Sequence, residues 1–509
     1  MHRSRLVFAL LLTHASACDT PAEDTPVPCE PAAREPVRRL SAFEYQRTLR
    51  ELVGFEVDEG TLPPSSISTT FATEDDALGS SALLVDGQFD AAEAAAETVL
   101  QRLKDGGSDA FLGCEAEAPT CIEDWLARFA TTAFRRPVEQ DELSRLRALL
   151  DEISLEQGVE VAIAATVEAV ILSPRFGFHA EERDASGAPD DWSIASRMSY
   201  FLWAGPPDEE LLGQAAAGSL RDADTRSQQA QRMLLDPRAR EGVVRVYREL
   251  LDLEQLATLA PETDAYPMWT ETLRSEISAE SDAFIGSTVL DREGTLEALL
   301  VSRYVEAGPE LSELYGISTD AAEVNSERAG ILTRAGFLAA QSHETQPSPV
   351  FRGLAVLDRL ACRDFSVPEG IPDVGSPEPS TTNRQRFEQH SVDPACSGCH
   401  SQIDPIGFTF EKFDSIGGYR TVDNGQPVDD SGAFLGVEVA NATELSEVMA
   451  QSHEVLTCSV TQWLRFNRGH EPLGGETCAR DNLADRFIAS GGDLRGMLVD
   501  IVESDLFIQ

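Results

Sequence analysis

Residues 41–54, SAFEYQRTLRELVG, set the pattern for most of the chain. Ser41 and Glu44 have capping-box spacing, Phe43, Leu49, Leu52 and Val53 fall near the helical period, and Gly54 ends the run. Comparable units, an apolar stripe at helical spacing between polar starts and Gly or Pro stops, continue to residue 506. They include 91–103, 121–134, 138–153, 159–172 and 238–253, and the closing stretches 442–452, 453–468, 478–489 and 493–506. Only GGYRTVDNGQPVDDSGAF (417–434) reads as a hairpin. The cluster Met198, Tyr200, Phe201, Leu202 and Trp203 reads as core. No period repeats, which argues against a solenoid. The expectation is a mainly α, multidomain chain of helical bundles with irregular loops, divided as 37–105, 114–182, 190–315, 327–422 and 437–509. The Pro-rich stretch 367–380 reads as a linker within the fourth of these.

The first residues point to export. MHRSR is a basic start, LVFALLL (6–12) is an apolar stretch too short to span a bilayer, and Ala15-Ser16-Ala17 precedes Cys18. That arrangement predicts a signal peptide over 1–17 and a lipobox-like acylation of Cys18, with Ala15 where leucine is usual. The same ASA suits ordinary signal cleavage, which would leave Cys18 as a free first residue. The acidic, Pro-rich segment 18–36 then serves as a tether, and the expected location is the periplasm or cell envelope, anchored to membrane by lipid. No later segment runs 18 apolar residues unbroken; the best, VAIAATVEAVIL (161–172), carries Glu168.

Charge bounds the partners. The chain has 87 acidic and 41 basic residues, a net −46. Such a field repels phosphate backbones, so nucleic acid is excluded as a partner, and it attracts basic proteins. Nine cysteines are an odd number, and setting Cys18 aside leaves eight. In an oxidising compartment, Cys114 with Cys121 would close a small loop, and Cys458 with Cys478 would staple a helix and loop; Cys29 and Cys362 have no obvious partners.

The remaining pair stands in DPACSGCHSQIDPIGF (393–408). Cys396-Ser397-Gly398-Cys399-His400 is C-x-x-C-H, the attachment pattern of c-type haem. Two thiols one helical turn apart reach the two vinyl groups of one porphyrin, and the next histidine meets the iron. About 0.002 such motifs are expected by chance at this composition. The rival readings are a zinc knuckle recruiting His390 and Cys362, a redox dithiol needing a βαβ setting, and a strained C-x-x-C disulfide. Candidates for a second axial ligand are His390, His343 and Met449, with Met449 equally readable as packing; His453 and His470 read as surface residues. An iron with one protein ligand would be open to peroxide. Asp423, Asp429 and Asp430 do not match a calcium loop and read as a turn, and no hydrolase or phosphate-loop motif is present.

On these residues the chain resembles the planctomycete-cytochrome-associated multidomain proteins, exported bacterial proteins built from five consecutive domains of unknown function. The likeness runs through VRRLSAFEYQRTLRELVG, TTAFRRPVEQDELSRLRALL, SIASRMSYFLWAGPPDEELL, RAGILTRAGFLAAQSHETQPSPVFRGLAVLDRLAC, HSVDPACSGCHSQIDPIGFTFEKFDSIGGYR and CSVTQWLRFNRGHE. It implies export and a haem-type site at Cys396, Cys399 and His400, and no established reaction. His343, His390, Asp404, Pro405 and Gly407 also match, which implies that Asp404-Pro405 shapes a loop over the haem edge. The leading expectation is electron transfer through one covalent haem c, with the acidic surface steering a basic redox partner. The alternatives are a peroxidase-like enzyme whose substrate sits in the 190–315 block, and a scaffold lipoprotein without haem.

Overall fold

Ser41 and Glu44 do form the box: the Glu44 N–H donates to the Ser41 hydroxyl, and the Ser41 N–H donates to the Glu44 carboxylate at 2.8 Å. The helix Ala42–Val53 ends at Gly54, whose φ of 69° is left-handed. The computed structural model describes residues 37–58, 60–63, 70–115, 118, 120–183, 187–365, 381–392 and 396–508, with only the backbone of 75 and 389–392. The expected signal, Cys18, the tether, Cys29 and the Pro-rich linker from 367 therefore lie outside the described residues.

The described chain is mainly helical. The helix expected at 91–103 spans Ala82–Arg102, starting at the Ser81 cap. Its first turns bury only Leu84 and Gly87, while the larger apolar side chains Leu83, Val85 and Phe89 face solvent. Strands are few and short. Val37–Arg39 pairs antiparallel with Phe178–Ala180, setting Arg38 opposite His179. Val422–Asp423 pairs with Gln426–Pro427, and Gly432–Phe434 with Val437–Val439, so the 417–434 stretch turns as a hairpin and opens a second one. Among the described residues no helix is long and apolar enough to cross a membrane.

Two cores organise these elements. One joins the helices up to Ile171 around Tyr45, Trp125, Phe129 and Phe176. The other runs from Phe71 through the 190–360 helices to Phe507. The helix Asp191–Trp203 lies between them and is buried from Ser193 to Trp203, with Tyr200 in the first core and Phe201 in the second. Each such side chain contributes about 2 kcal/mol by leaving water. Buried arginines tie distant segments together. Arg226 donates to the carbonyls of Leu220, Arg221, Val502 and Glu503, and Arg197 donates to that of Phe507.

Cys114 and Cys121 are bonded, with Cα atoms 5.7 Å apart. The expected Cys458–Cys478 staple is not formed. Cys458, on the helix His453–Arg468, is bonded to Cys362 across 96 residues, and Cys478 is engaged in another disulfide. The helix carrying Cys458 packs against the turn Val356–Leu360, which brings Cys362 to it.

Candidate functional site

The cysteine motif opens the helix Ser397–Gly407, with Cys396 at its cap position. The His400 N–H donates to the Cys396 carbonyl at 3.1 Å, so the two cysteines and the histidine share one turn. Both thiols are unbonded; Cys399 is exposed and Cys396 partly so. Between them, Gly398 has no atom within 4 Å of where a side chain would begin, which leaves that side of the turn open. The His400 ring stands 18% exposed, and its Nδ1 lies 2.9 Å from Oδ1 of Asp404, which is 1% exposed. A carboxylate only accepts, so Nδ1 carries the proton and donates it to Asp404.

The expected loop at Asp404-Pro405 is corrected by the structure: both residues lie inside the helix, which continues until the Phe408 N–H bonds the Asp404 carbonyl. Proline costs about 3 kcal/mol inside a helix. Burial of Ile403, Ile406 and Gly407 offsets it. The helix packs on Pro349–Ala355 at a distance only glycine allows, since a side chain at Gly407 would meet the Pro349 carbonyl at 1.8 Å, and one at Gly353 the Ile403 carbonyl at 2.2 Å. Arg352, fully buried on the same supporting helix, donates to the carbonyls of Leu338, Phe410, Phe413 and Asp414 at 2.7–3.1 Å. Burial pushes its guanidinium down to about 10. A second support, the helix Asn383–Val392, is pinned by Asn383 to Pro347 and to buried Glu411, and Arg384 lies over the Phe408 ring at 4.7 Å.

The other candidates part ways. Met449 is fully buried in the larger core on the helix Ala442–Ala450 and is packing. His343 is exposed in a turn, its ring 4.7 Å from that of Phe351 and its N–H on the Gln346 carbonyl at 3.0 Å. Its imidazole is held below the ordinary histidine value by packing first and by the Arg386 charge second. His390 lies on the second supporting helix, and its side chain falls outside the described residues. His453 and His470 make only exposed local bonds.

Cys362 is committed to Cys458 and is thereby removed from a zinc site. Among the described residues no group of three His, Cys, Asp or Glu side chains could hold a metal ion. The aspartates of the turn are paired too: Asp423 with Arg420, Asp429 with Ser431, and Asp430 with Lys412.

Five family models match in succession, each described as a protein of unknown function. DUF1587 covers residues 38–101, DUF1595 covers 121–181, DUF1592 covers 190–317, DUF1588 covers 328–423 and DUF1585 covers 435–507. The chain belongs to the planctomycete cytochrome-associated family. The segment holding the cysteine motif is the one matched by the model named PSCyt3. No curated protein and no solved structure matches this chain.

The DUF1587, DUF1595, DUF1592 and DUF1585 segments all line one cleft. Nothing in the sequence analysis pointed to it. At its floor is Arg135, which ends the helix Cys121–Phe134 at a left-handed φ of 60°. It donates to the carbonyls of Arg175, Phe176 and Phe178 at 2.7–3.1 Å and to the Tyr200 hydroxyl at 3.4 Å. Tyr200 stands 2.8 Å from the Thr48 hydroxyl, which donates to the Glu44 carbonyl. Burial raises the phenol of Tyr200 above its ordinary value. The edge of the His179 ring meets Tyr200, centroids 4.3 Å apart. Glu44 takes two bonds from Arg38 at 2.9 Å, and Glu181 takes bonds from Arg197 at 2.7 and 2.8 Å. The two-residue run Arg135-Arg136 after a helix was the available signal.

Proposed function

We propose that this protein is an exported, lipid-anchored c-type haem protein that transfers electrons. The observation that carries the reading is the first turn of Ser397–Gly407: two unbonded, accessible thiols at i and i+3, and a histidine whose Nδ1 is already occupied. That donor set fits haem c. Cys396 and Cys399 would each add S–H across a vinyl double bond, releasing nothing, and His400 would present Nε2 to the iron. When bound, the group supplies one-electron exchange between ferric and ferrous iron. The chain's own residues do the rest. Asp404 orients the imidazole, Arg352 and the close glycine contacts keep the helix from shifting, and the −46 net charge draws a basic partner toward the surface. The name of the matching model, PSCyt3, supports cytochrome association at this segment. Export and acylation rest on residues 1–18, MHRSRLVFALLLTHASAC.

The test is a haem stain on a denaturing gel, with a visible spectrum, of protein exported by a host that matures c-type cytochromes. Covalent haem that disappears in Cys399→Ser is the expected result. A colourless, stain-negative wild type would sink the reading and leave a scaffold lipoprotein.

A further inference from the structure

The His400–Asp404 pair does more than attach a ring. Both residues lie on one helix, one turn apart, so their 2.9 Å bond is built into the backbone and precedes any ligand. Asp404 is 1% exposed, which keeps water from competing for the bond and lets its charge act through protein rather than solvent. A carboxylate oxygen of Asp404 accepting the Nδ1 proton makes the opposite nitrogen more electron-rich. An electron-rich axial nitrogen stabilises ferric iron over ferrous iron, and therefore lowers the potential at which the iron accepts an electron.

The opposing influence is the helix itself. His400 stands in its first turn, where the macrodipole carries about half a positive charge and raises the potential of a nearby metal. That partial charge sits at an end where Cys399 is exposed and solvent screens it. The carboxylate is whole, buried and in direct contact with the ligand. Asp404 wins.

Resting on the haem reading, we infer that Asp404 is a positioning residue that tunes the iron through His400, lowering its potential below what the same site would have with a neutral acceptor at Nδ1.

The experiment is spectroelectrochemical titration of the full, haem-loaded chain and its Asp404→Asn variant, an isosteric change that keeps an acceptor at Nδ1 and removes its charge. The midpoint potential should move to a more positive value in Asp404→Asn, and Asp404→Glu should recover part of the shift. Ferrous resonance Raman adds a second readout: wherever the iron–histidine stretch is visible, it should fall in Asp404→Asn. Unchanged potential in a stain-positive, folded Asp404→Asn protein overturns the inference while the haem reading stands. A stain-negative wild type overturns the haem reading and this inference with it. Should Asp404→Asn fail to fold, Asp404→Ser, a smaller neutral replacement, takes its place: the midpoint must again move to a more positive value, and an unchanged midpoint in that stain-positive variant overturns the inference.

Discussion

The cleft at Arg135 and the helix at Cys396 both gather reactive groups, and they treat them in opposite ways. In the cleft, Arg38 meets Glu44, Arg197 meets Glu181, and Arg135 meets four carbonyls and a tyrosine. At the motif, two thiols face outward unbonded. Groups that satisfy one another hold segments together, because removing one strands its buried partner. Groups kept unbonded and accessible are available to something that arrives from outside. Charge density alone marks a joint as readily as a site, and the cleft, for all its arginines, is a joint.

Breaking that comparison should begin where the effect is greatest. Arg135→Ala strands the carbonyls of Arg175, Phe176 and Phe178, and is expected to destabilise the chain by about 4 kcal/mol in denaturant melts while leaving haem staining intact. A loss below about 1 kcal/mol would mean the cleft is not a joint. Next is Glu44→Gln, expected to cost about 3 kcal/mol at neutral pH by leaving Arg38 half-paired. Burial raises the Glu44 carboxyl, but Arg38, Arg245 and the Ser41 N–H together outweigh it and hold the group below the ordinary carboxylate value. A carboxylate so depressed adds stability above its unfolded value and loses it as pH falls through the folded one. The gap between wild type and Glu44→Gln should therefore close on acidification below the ordinary carboxylate range, and melts across that range will read it. The smallest effect on stability sharpens the contrast most. Cys396→Ser with Cys399→Ser, in protein free of haem, should change stability by no more than about 0.5 kcal/mol, and in a maturing host should abolish staining.

What the sequence disclosed follows the length of the interactions involved. The C-x-x-C-H motif is complete within five residues, and the capping box within four, so spacing alone is enough to see them. The helical class was legible because most stripes face a core; where Leu83, Val85 and Phe89 face solvent, the start of Ala82–Arg102 was lost. The partner of Cys458 lies 96 residues away and is chosen by how two helical segments pack, for which no local signal exists. Arg135 adopts a left-handed conformation usually left to glycine, and the carbonyls that repay it come from residues 175–178. Asp404-Pro405 misled in the other direction. Proline is the ordinary mark of a helix end, and here the packing of Ile403 and Ile406 carries the helix through it.

The arginines that reach toward Phe507 impose an order of events. Arg226 and Arg197 sit in the DUF1592 segment, yet their acceptors are carbonyls of residues 502–507, 276 to 310 positions later. A chain emerging from its first residue onward has those two guanidiniums, already within reach of Leu220, Arg221 and Glu181, in place long before the carbonyls of 502–507 exist to receive them. The larger core thus stays unclosed until nearly the last described turn arrives, and Cys396 and Cys399 emerge about a hundred residues before that moment. The motif helix, Arg352 and the carbonyls of Phe410, Phe413 and Asp414 that hold it are all made before that closure, so this segment can settle while the larger core is still open.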